Sequence, residues 1–202
     1  MNFLALGFLT GLSLILAIGA QNIFVMEQGL KKQYIFLICL ICSVSDLILI
    51  FFGIFLFEYF KVFFTKNVEL IFNILLFIFL IYFIYNKIIS LYKRSNLNFD
   101  SDILSFKHTI IKTLGFTYLN PHVYSDTVFF LGNFSKNFIL NQKILFGVGA
   151  SIASFVFFFV IGYLSKYLSQ YFQSEKIWKI INIFIIIFMS LLTIFVILET
   201  IN

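Results

Sequence analysis

Six polar side chains in this sequence stand where an apolar run would be expected to continue, and they fall in three places: Gln21 with Asn22, Asp46, and Asn120 with His122 and Asp126. Two carboxylates, an imidazole and three amides can bind a zwitterion, neutralise a cation or carry a proton. An acid at membrane depth is costly, and such residues usually face a bundle interior and mark an ion or substrate path. The competing reading of Asp46 is a structural acid bonded to a backbone group or a serine. His122 and Asp126 are four residues apart and share a face if the helix resumes after Pro121, as a satisfied pair or as a functional one. Cys39 and Cys42 form a C-x-x-C with no second pair and no nearby histidine, so they read as small core residues and not as a metal or disulfide site.

The elements that must hold these groups are set by composition. With 61% apolar and 11% charged residues over 202 positions, the chain departs far from a soluble domain. Its apolar runs have the length of membrane-crossing helices, and short alternating barrel strands are absent from the pattern. The fold class expected is all-α and polytopic, with six spans near 3–26, 34–57, 70–89, 109–131, 144–164 and 180–198. No basic stretch precedes the first run, so it is expected to be retained and not cleaved as a signal peptide. Helix breaks are expected at Gly19 and Ala20 and at Pro121, the only proline. Gly7 and Gly11, and the small residues Gly147, Gly149, Ala150, Ser151, Ala153 and Ser154, are suited to close helix contacts.

Two sets of three spans resemble each other. Gly19-Ala20-Gln21 lies over Asn120-Pro121-His122, and Ser43 to Asp46 over Ser151 to Ser154, each of the latter followed by a Phe-rich stretch and a glycine, Gly53 or Gly162. An odd number of spans per repeat inverts the second, as in many secondary transporters that bind near the midplane in broken helices. The division expected is a first repeat over 1–92, a cytoplasmic connection over 93–108 and a second repeat over 109–202. Ten Lys and Arg residues fall on one side (31, 32, 87, 93, 94, 107, 112, 166, 176 and 179) and four on the other (61, 66, 136 and 143). The positive-inside rule then places both termini in the periplasm. The net charge of +5 is explained by this bias and requires no nucleic acid.

Four motifs in order, Gly19-Ala20-Gln21-Asn22 with Phe24 to Gly29, Cys42 to Asp46, Leu119 to Thr127, and Leu131-Gly132, resemble the LysE family of bacterial basic amino acid exporters over nearly the whole chain. The resemblance implies export of L-arginine, L-lysine or both across the inner membrane, driven by membrane potential or a proton gradient, with no cofactor. The chain departs from the family's common form in carrying Ala20 where proline often stands, which predicts a softer first break, and Tyr118 where tryptophan is common.

For such a substrate Asp46 and Asp126 are the candidates for the cationic groups, and the helix ends freed at the two breaks for the carboxylate. Gln21, Asn22, Asn120 and His122 would complete the hydrogen bonds, and Asp46, Asp126 or His122 would carry a coupling proton. Competing readings are a neutral amino acid exporter, for homoserine or threonine, on the same fold, and a channel or assembly subunit. A membrane enzyme using His122 and Asp126 as acid and base lacks a nucleophile motif and a polar domain. The pattern is compatible with a homo-oligomer.

Overall fold

The computed structural model describes residues 2–16, 19–63, 65–93, 105–172 and 175–201. Every regular element among them is helical: α1 (Phe3–Ile15), α2 (Ala20–Leu30), α3 (Ile35–Phe63), α4 (Lys66–Lys93), α5 (Phe106–Tyr118), α6 (Pro121–Tyr124), a π-helical turn (Ser125–Phe130), α7 (Leu131–Ser135), α8 (Leu140–Leu168), a 3₁₀ turn (Ser169–Phe172) and α9 (Glu175–Ile201). Three stretches are long and apolar enough to cross a membrane, Ile35–Phe57, Lys66–Asn86 and Leu140–Tyr171, and a fourth if the bent pair α1 and α2 counts as one span. In α9 the described apolar stretch is the shorter Lys179–Leu191.

Local signals account for where the helices start. Asn2 caps α1, its side-chain oxygen accepting from the Leu4 and Ala5 amides at 3.2 and 3.3 Å. Ser105 does the same for α5 through the His108 amide, while Gln142 Oε1 accepts from the Ile139 N–H at the start of α8. The middle of each long helix is held by packing and not by amphipathic patterning.

The outward surface is apolar: Phe36, Ile48 and Phe55 of α3, Ile71, Ile78 and Tyr82 of α4, and Val156, Val160 and Leu164 of α8 are exposed. A surface of that kind is suited to lipid, where hydrocarbon gives helices little reason to associate and contact must come from close backbone approach. Glycines supply that approach. A Cβ on Gly53 would stand 2.6 Å from the Thr127 carbonyl oxygen and the Val128 Cα, and one on Gly132 would stand 2.7 Å from the Gly53 carbonyl oxygen. A Cβ on Gly29 would stand 2.5 Å from the Gly162 carbonyl oxygen. Gly7 and Gly149 let α1 and α8 touch in the same way, Gly7 against the Phe146 carbonyl and Gly149 against that of Leu4. The G-x-x-x-G spacing of Gly7 and Gly11 is therefore a packing device.

α8 runs through the middle of this arrangement, with α1, α2 and α3 against it. α3 in turn carries α5, the π-helical turn and α7, and α4 packs against α9. Phe24, Ile38, Cys39, Cys42, Leu80, Phe116, Phe158 and Met189 form one buried cluster, and Ile50, Ile54, Leu131, Phe146 and Ala150 a second. Phe116 of α5 meets Phe24, Phe79 and Phe83 with ring centroids 4.7–5.0 Å apart, which ties α2, α4 and α5 together.

Candidate functional site

Both expected breaks are present. α1 ends at Ile15 and α2 starts at Ala20, with an 83° bend between them, so the first break is sharp despite the missing proline. Gly19 itself is extended (φ −116°, ψ −179°), a conformation open to any residue. Asn22 supplies the fixing contact: its Nδ2 donates to the Ile15 carbonyl at 3.1 Å, satisfying an acceptor left open where α1 stops. The second break repeats the device with a different side chain. α5 ends at Tyr118, α6 begins at Pro121, and the Tyr124 hydroxyl donates to the Tyr118 carbonyl at 3.0 Å. Proline suits a first helical position because its missing N–H has no partner there to lose.

The two breaks adjoin. A Cβ on Gly19 would lie 4.0 Å from Asn120 Nδ2, which joins the end of one interrupted helix to the end of the other. α2 starts at this point without a side-chain cap from Gly19.

Asp46 is buried on the neighbouring α3, and its Oδ2 accepts from Ser154 Oγ of α8 at 2.7 Å. The alternative of an acid bonded to serine is thus present in fact, and it does not exclude a functional role. Cys42, one turn before Asp46, is fully buried and flanked by the side chains of Gln21 from α2 and Thr117 from α5. Thr117 donates to the Thr113 carbonyl at 2.9 Å, which leaves its oxygen lone pairs directed elsewhere. Gln21 is 6% exposed, and its Nε2 has no hydrogen-bond acceptor. A buried amide donor with no acceptor costs about 1–3 kcal/mol, and such groups persist where something else is to be bound.

Four helices therefore bring Gln21, Cys42, Asp46, Thr117 and Ser154 together beside the adjoining breaks. Their capacity is plain from the atoms: a carboxylate for a cation, and an amide donor with helix-end N–H groups for an anion. Three of the five, Cys42, Thr117 and Ser154, were not singled out as site residues in the sequence. Cys42 reads as an ordinary core thiol there, and the signal available was the expected overlay of Ser43 to Asp46 on Ser151 to Ser154. Cys39 differs from Cys42, donating its thiol to the Phe158 carbonyl at 3.2 Å in the contact between α3 and α8.

Asp126 is half-buried on the π-helical turn that packs on α3. There the Leu131 amide reaches back five residues to the Asp126 carbonyl, and Thr127 Oγ1 donates to the Val123 carbonyl at 2.6 Å. π-helical turns are rare and frequently mark functional sites. The helix thus resumes at Pro121 but widens at Ser125, so His122 and Asp126 are not held in plain α-helical register. The side chains of Pro121, His122 and Ser125 lie outside the described residues. Asn120 is buried at the break itself.

A bundle of apolar helices interrupted beside a buried acid is an architecture suited to a membrane translocator, and comparison with known proteins gives the class. Residues 12–200 match the model of the LysE type translocator family, and the chain belongs to that family. It is 32% identical over 189 residues to the arginine exporter protein ArgO of Pectobacterium atrosepticum, covering 89% of this chain and 88% of that protein. It is 33% identical over 198 residues to the ArgO of Salmonella typhimurium, covering 92% of this chain and 89% of that protein. The ArgO of Klebsiella pneumoniae is 32% identical over 188 residues, covering 88% of this chain and 84% of that protein. No solved structure matches the chain. It is accordingly a multi-pass membrane protein of an amino acid exporter family.

Proposed function

We propose that this protein exports basic L-amino acids, arginine in the first place and lysine with it, across the bacterial inner membrane by alternating access. The observation that carries the reading is a buried carboxylate, Asp46, beside two adjoining helix breaks in a chain whose named relatives are arginine exporters. A basic amino acid presents a carboxylate, an ammonium and a cationic side chain, so its site needs both signs. Asp46 takes a cationic group, with Asp126 approached from the wider turn. Gln21, Asn22, the α2 N-terminus, Asn120 and His122 take the carboxylate, and Asn22 also holds the first break in shape. Asp46, Asp126 or His122 carries any coupling proton, because only ionisable groups can link charge movement to cargo. Since the family is one of translocators, His122 and Asp126 are read as binding and coupling groups and not as an acid and base for catalysis.

The architecture we propose is six spans in two inverted repeats, 1–92 and 109–202, joined by a cytoplasmic segment at 93–108. The packing supports it. Exchanging the halves turns the contacts of α1 and α2 with α8 into those of α5, the π-helical turn and α7 with α3, while the contacts of α3 with α8 and of α4 with α9 map onto themselves. Two glycine crossings correspond as well, Gly29 on Gly162 and Gly132 on Gly53. In the third helix of each half the buried Asn73 and Asn182 stand 109 residues apart, the same separation as Gly53 and Gly162. In this reading each half rocks against the other, and both termini are periplasmic.

Counterflow in proteoliposomes tests the function: labelled arginine should accumulate against unlabelled arginine or lysine, and threonine should not compete. Competition by threonine or homoserine alone would move the cargo to neutral amino acids. Flux that neither saturates nor runs uphill would make the protein a channel. Reporter fusions at both ends and at residue 98 test the topology separately.

A further inference from the structure

Phe24 of α2 and Phe116 of α5 are 1% and 0% exposed, and their rings separate two groups of buried polar atoms. On one side are Gln21 and Thr117, both beside Cys42 in the site already described. The other group follows from the direction of the helices. Gln21 stands near Thr117, Phe24 meets Phe116, and Tyr34, just beyond α2, meets Phe106 at the start of α5, so α2 and α5 run antiparallel. One turn past the rings, Gln28 of α2 is therefore level with Thr113 and Thr109 of α5. Gln21, Phe24 and Gln28, at i, i+3 and i+7, share one face of α2, and Thr109, Thr113 and Thr117, at i, i+4 and i+8, share one face of α5.

Gln28 is 1% exposed and its Oε1 has no donor, an unmet acceptor that calls for an explanation. The three threonines are 0% exposed, and each hydroxyl donates to its own helix, to the carbonyls of Ser105, Thr109 and Thr113 at 3.2, 2.7 and 2.9 Å. Their oxygens then offer lone pairs alone to the seam between the helices. A guanidinium or ammonium brings several N–H donors and no acceptor, and neutral oxygens in series can hold it weakly enough to let it go. Between these oxygens and the site stands an aromatic plug, since Phe116 is also held by Phe79 and Phe83 of α4 at 4.7 and 5.0 Å. In the two-repeat architecture proposed above, the counterpart of α2 on α5 is the π-helical turn and α7 on α1. Among the described residues that second pairing is not packed to the same extent, so the two ends of the site differ.

We infer that the seam between α2 and α5 is one half of the path for the cationic end of the cargo, closed in this conformation by Phe24 against Phe116. The inference rests on the proposed basic cargo. When the rings part, Gln28 Oε1 and the threonine oxygens receive the cation on its way between the site and the membrane face where α2 ends. When they meet, the apolar contact keeps water and cargo from passing.

A thiol reagent that does not cross membranes tests the path. In a protein without its native cysteines (Cys39→Ala, Cys42→Ala), Thr113→Cys should react slowly, from the face at which the exposed Lys107→Cys reacts and not from the other. Adding Phe116→Ala should speed that reaction about tenfold or more, while Phe116→Leu, which keeps an apolar plug, should stay within about twofold of the parent. Phe24→Ala opens the seam from the other helix and makes the same test should Phe116→Ala fail to fold. Thr193→Cys in α9, 5% exposed, is the control for general loosening, and neither alanine variant should change its rate. Gln28→Leu should raise the half-saturating arginine concentration several-fold in counterflow from the Lys107 face alone. Thr113→Cys reacting from both faces or from neither, or the alanine variants speeding Thr193→Cys as much as Thr113→Cys, overturns the inference. Absence of arginine counterflow in the wild-type protein, with the labelling as expected, would instead strike the proposed cargo.

Discussion

Asp46 Oδ2 and Ser154 Oγ are 2.7 Å apart, so the bond crosses the contact of α3 with α8. α3 contributes the acid and α8 its donor. In the two-repeat architecture proposed above, such a pair adjusts whenever the halves move against each other, and this makes Ser154 a positioning residue for Asp46.

Ser154→Ala removes the donor and leaves a buried carboxylate short of a hydrogen bond, at a cost of about 1–3 kcal/mol. Arginine efflux from dipeptide-loaded cells should fall about tenfold or more while the protein still reaches the membrane, and Ser154→Thr should recover most of it. Asp46→Asn should abolish efflux outright. Full activity in Ser154→Ala would show that the bond is structural only.

The glycines separate two kinds of constraint. A Cβ on Gly53 or Gly132 would stand 2.6–2.7 Å from backbone atoms, so Gly53→Ala and Gly132→Ala should each destabilise the bundle by about 1–3 kcal/mol, as overpacking does. A Cβ on Gly19 would meet only Asn120 Nδ2, at 4.0 Å, and its backbone is one that any residue adopts, so Gly19→Ala should fold normally. Thermal unfolding followed by fluorescence-detected size exclusion ranks the three. A Gly19→Ala protein as unstable as Gly53→Ala would contradict the geometry.

Much of this was legible beforehand because membrane burial makes polar residues conspicuous. Asp46, Gln21 and Asn120 stand out from apolar runs and are buried near the breaks, and Pro121 announces the second break. The role of Asn22 was not legible, because an amide that binds cargo and one that satisfies a helix end look alike until the Ile15 carbonyl is seen beside it. The π-helical turn was equally hidden: Ser125 to Phe130 has ordinary helix composition, and its close approach to α3 at Gly53 is a tertiary contact. Ser154 and Cys42 were read as small packing residues, which they also are.

Asn22 and Tyr124 do one job in the two breaks, each donating to a carbonyl at or next to the end of the preceding half-helix, at 3.1 and 3.0 Å. Asn22→Ala and Tyr124→Phe should each cost about 1 kcal/mol in stability. If the breaks move during transport, both should lower the maximal rate more than they change half-saturation. Paired kinetics and melting curves check this. Equal losses in half-saturation, with maximal rate kept, would make these residues cargo ligands instead.

Cys42 offers a reporter that the sequence supplies free of engineering. Its thiol lies among Gln21, Thr117 and Asp46, whereas Cys39 is engaged with the Phe158 carbonyl in the contact of α3 with α8. In a Cys39→Ala protein, a small cationic thiol reagent should modify Cys42 slowly in membranes, because Cys42 is 0% exposed in this conformation and the site must open first. Once open, the nearby Asp46 carboxylate attracts a cationic reagent over a neutral one of equal size. Arginine at saturating concentration should slow the reaction by competing for the same space, and threonine should leave it unchanged. The Asp46→Asn background should abolish the preference for the cationic reagent while leaving the neutral one reactive, which separates loss of charge from loss of access. Modification that is fast, insensitive to arginine and indifferent to reagent charge would place Cys42 outside the path, and with it the group of side chains built around the two breaks.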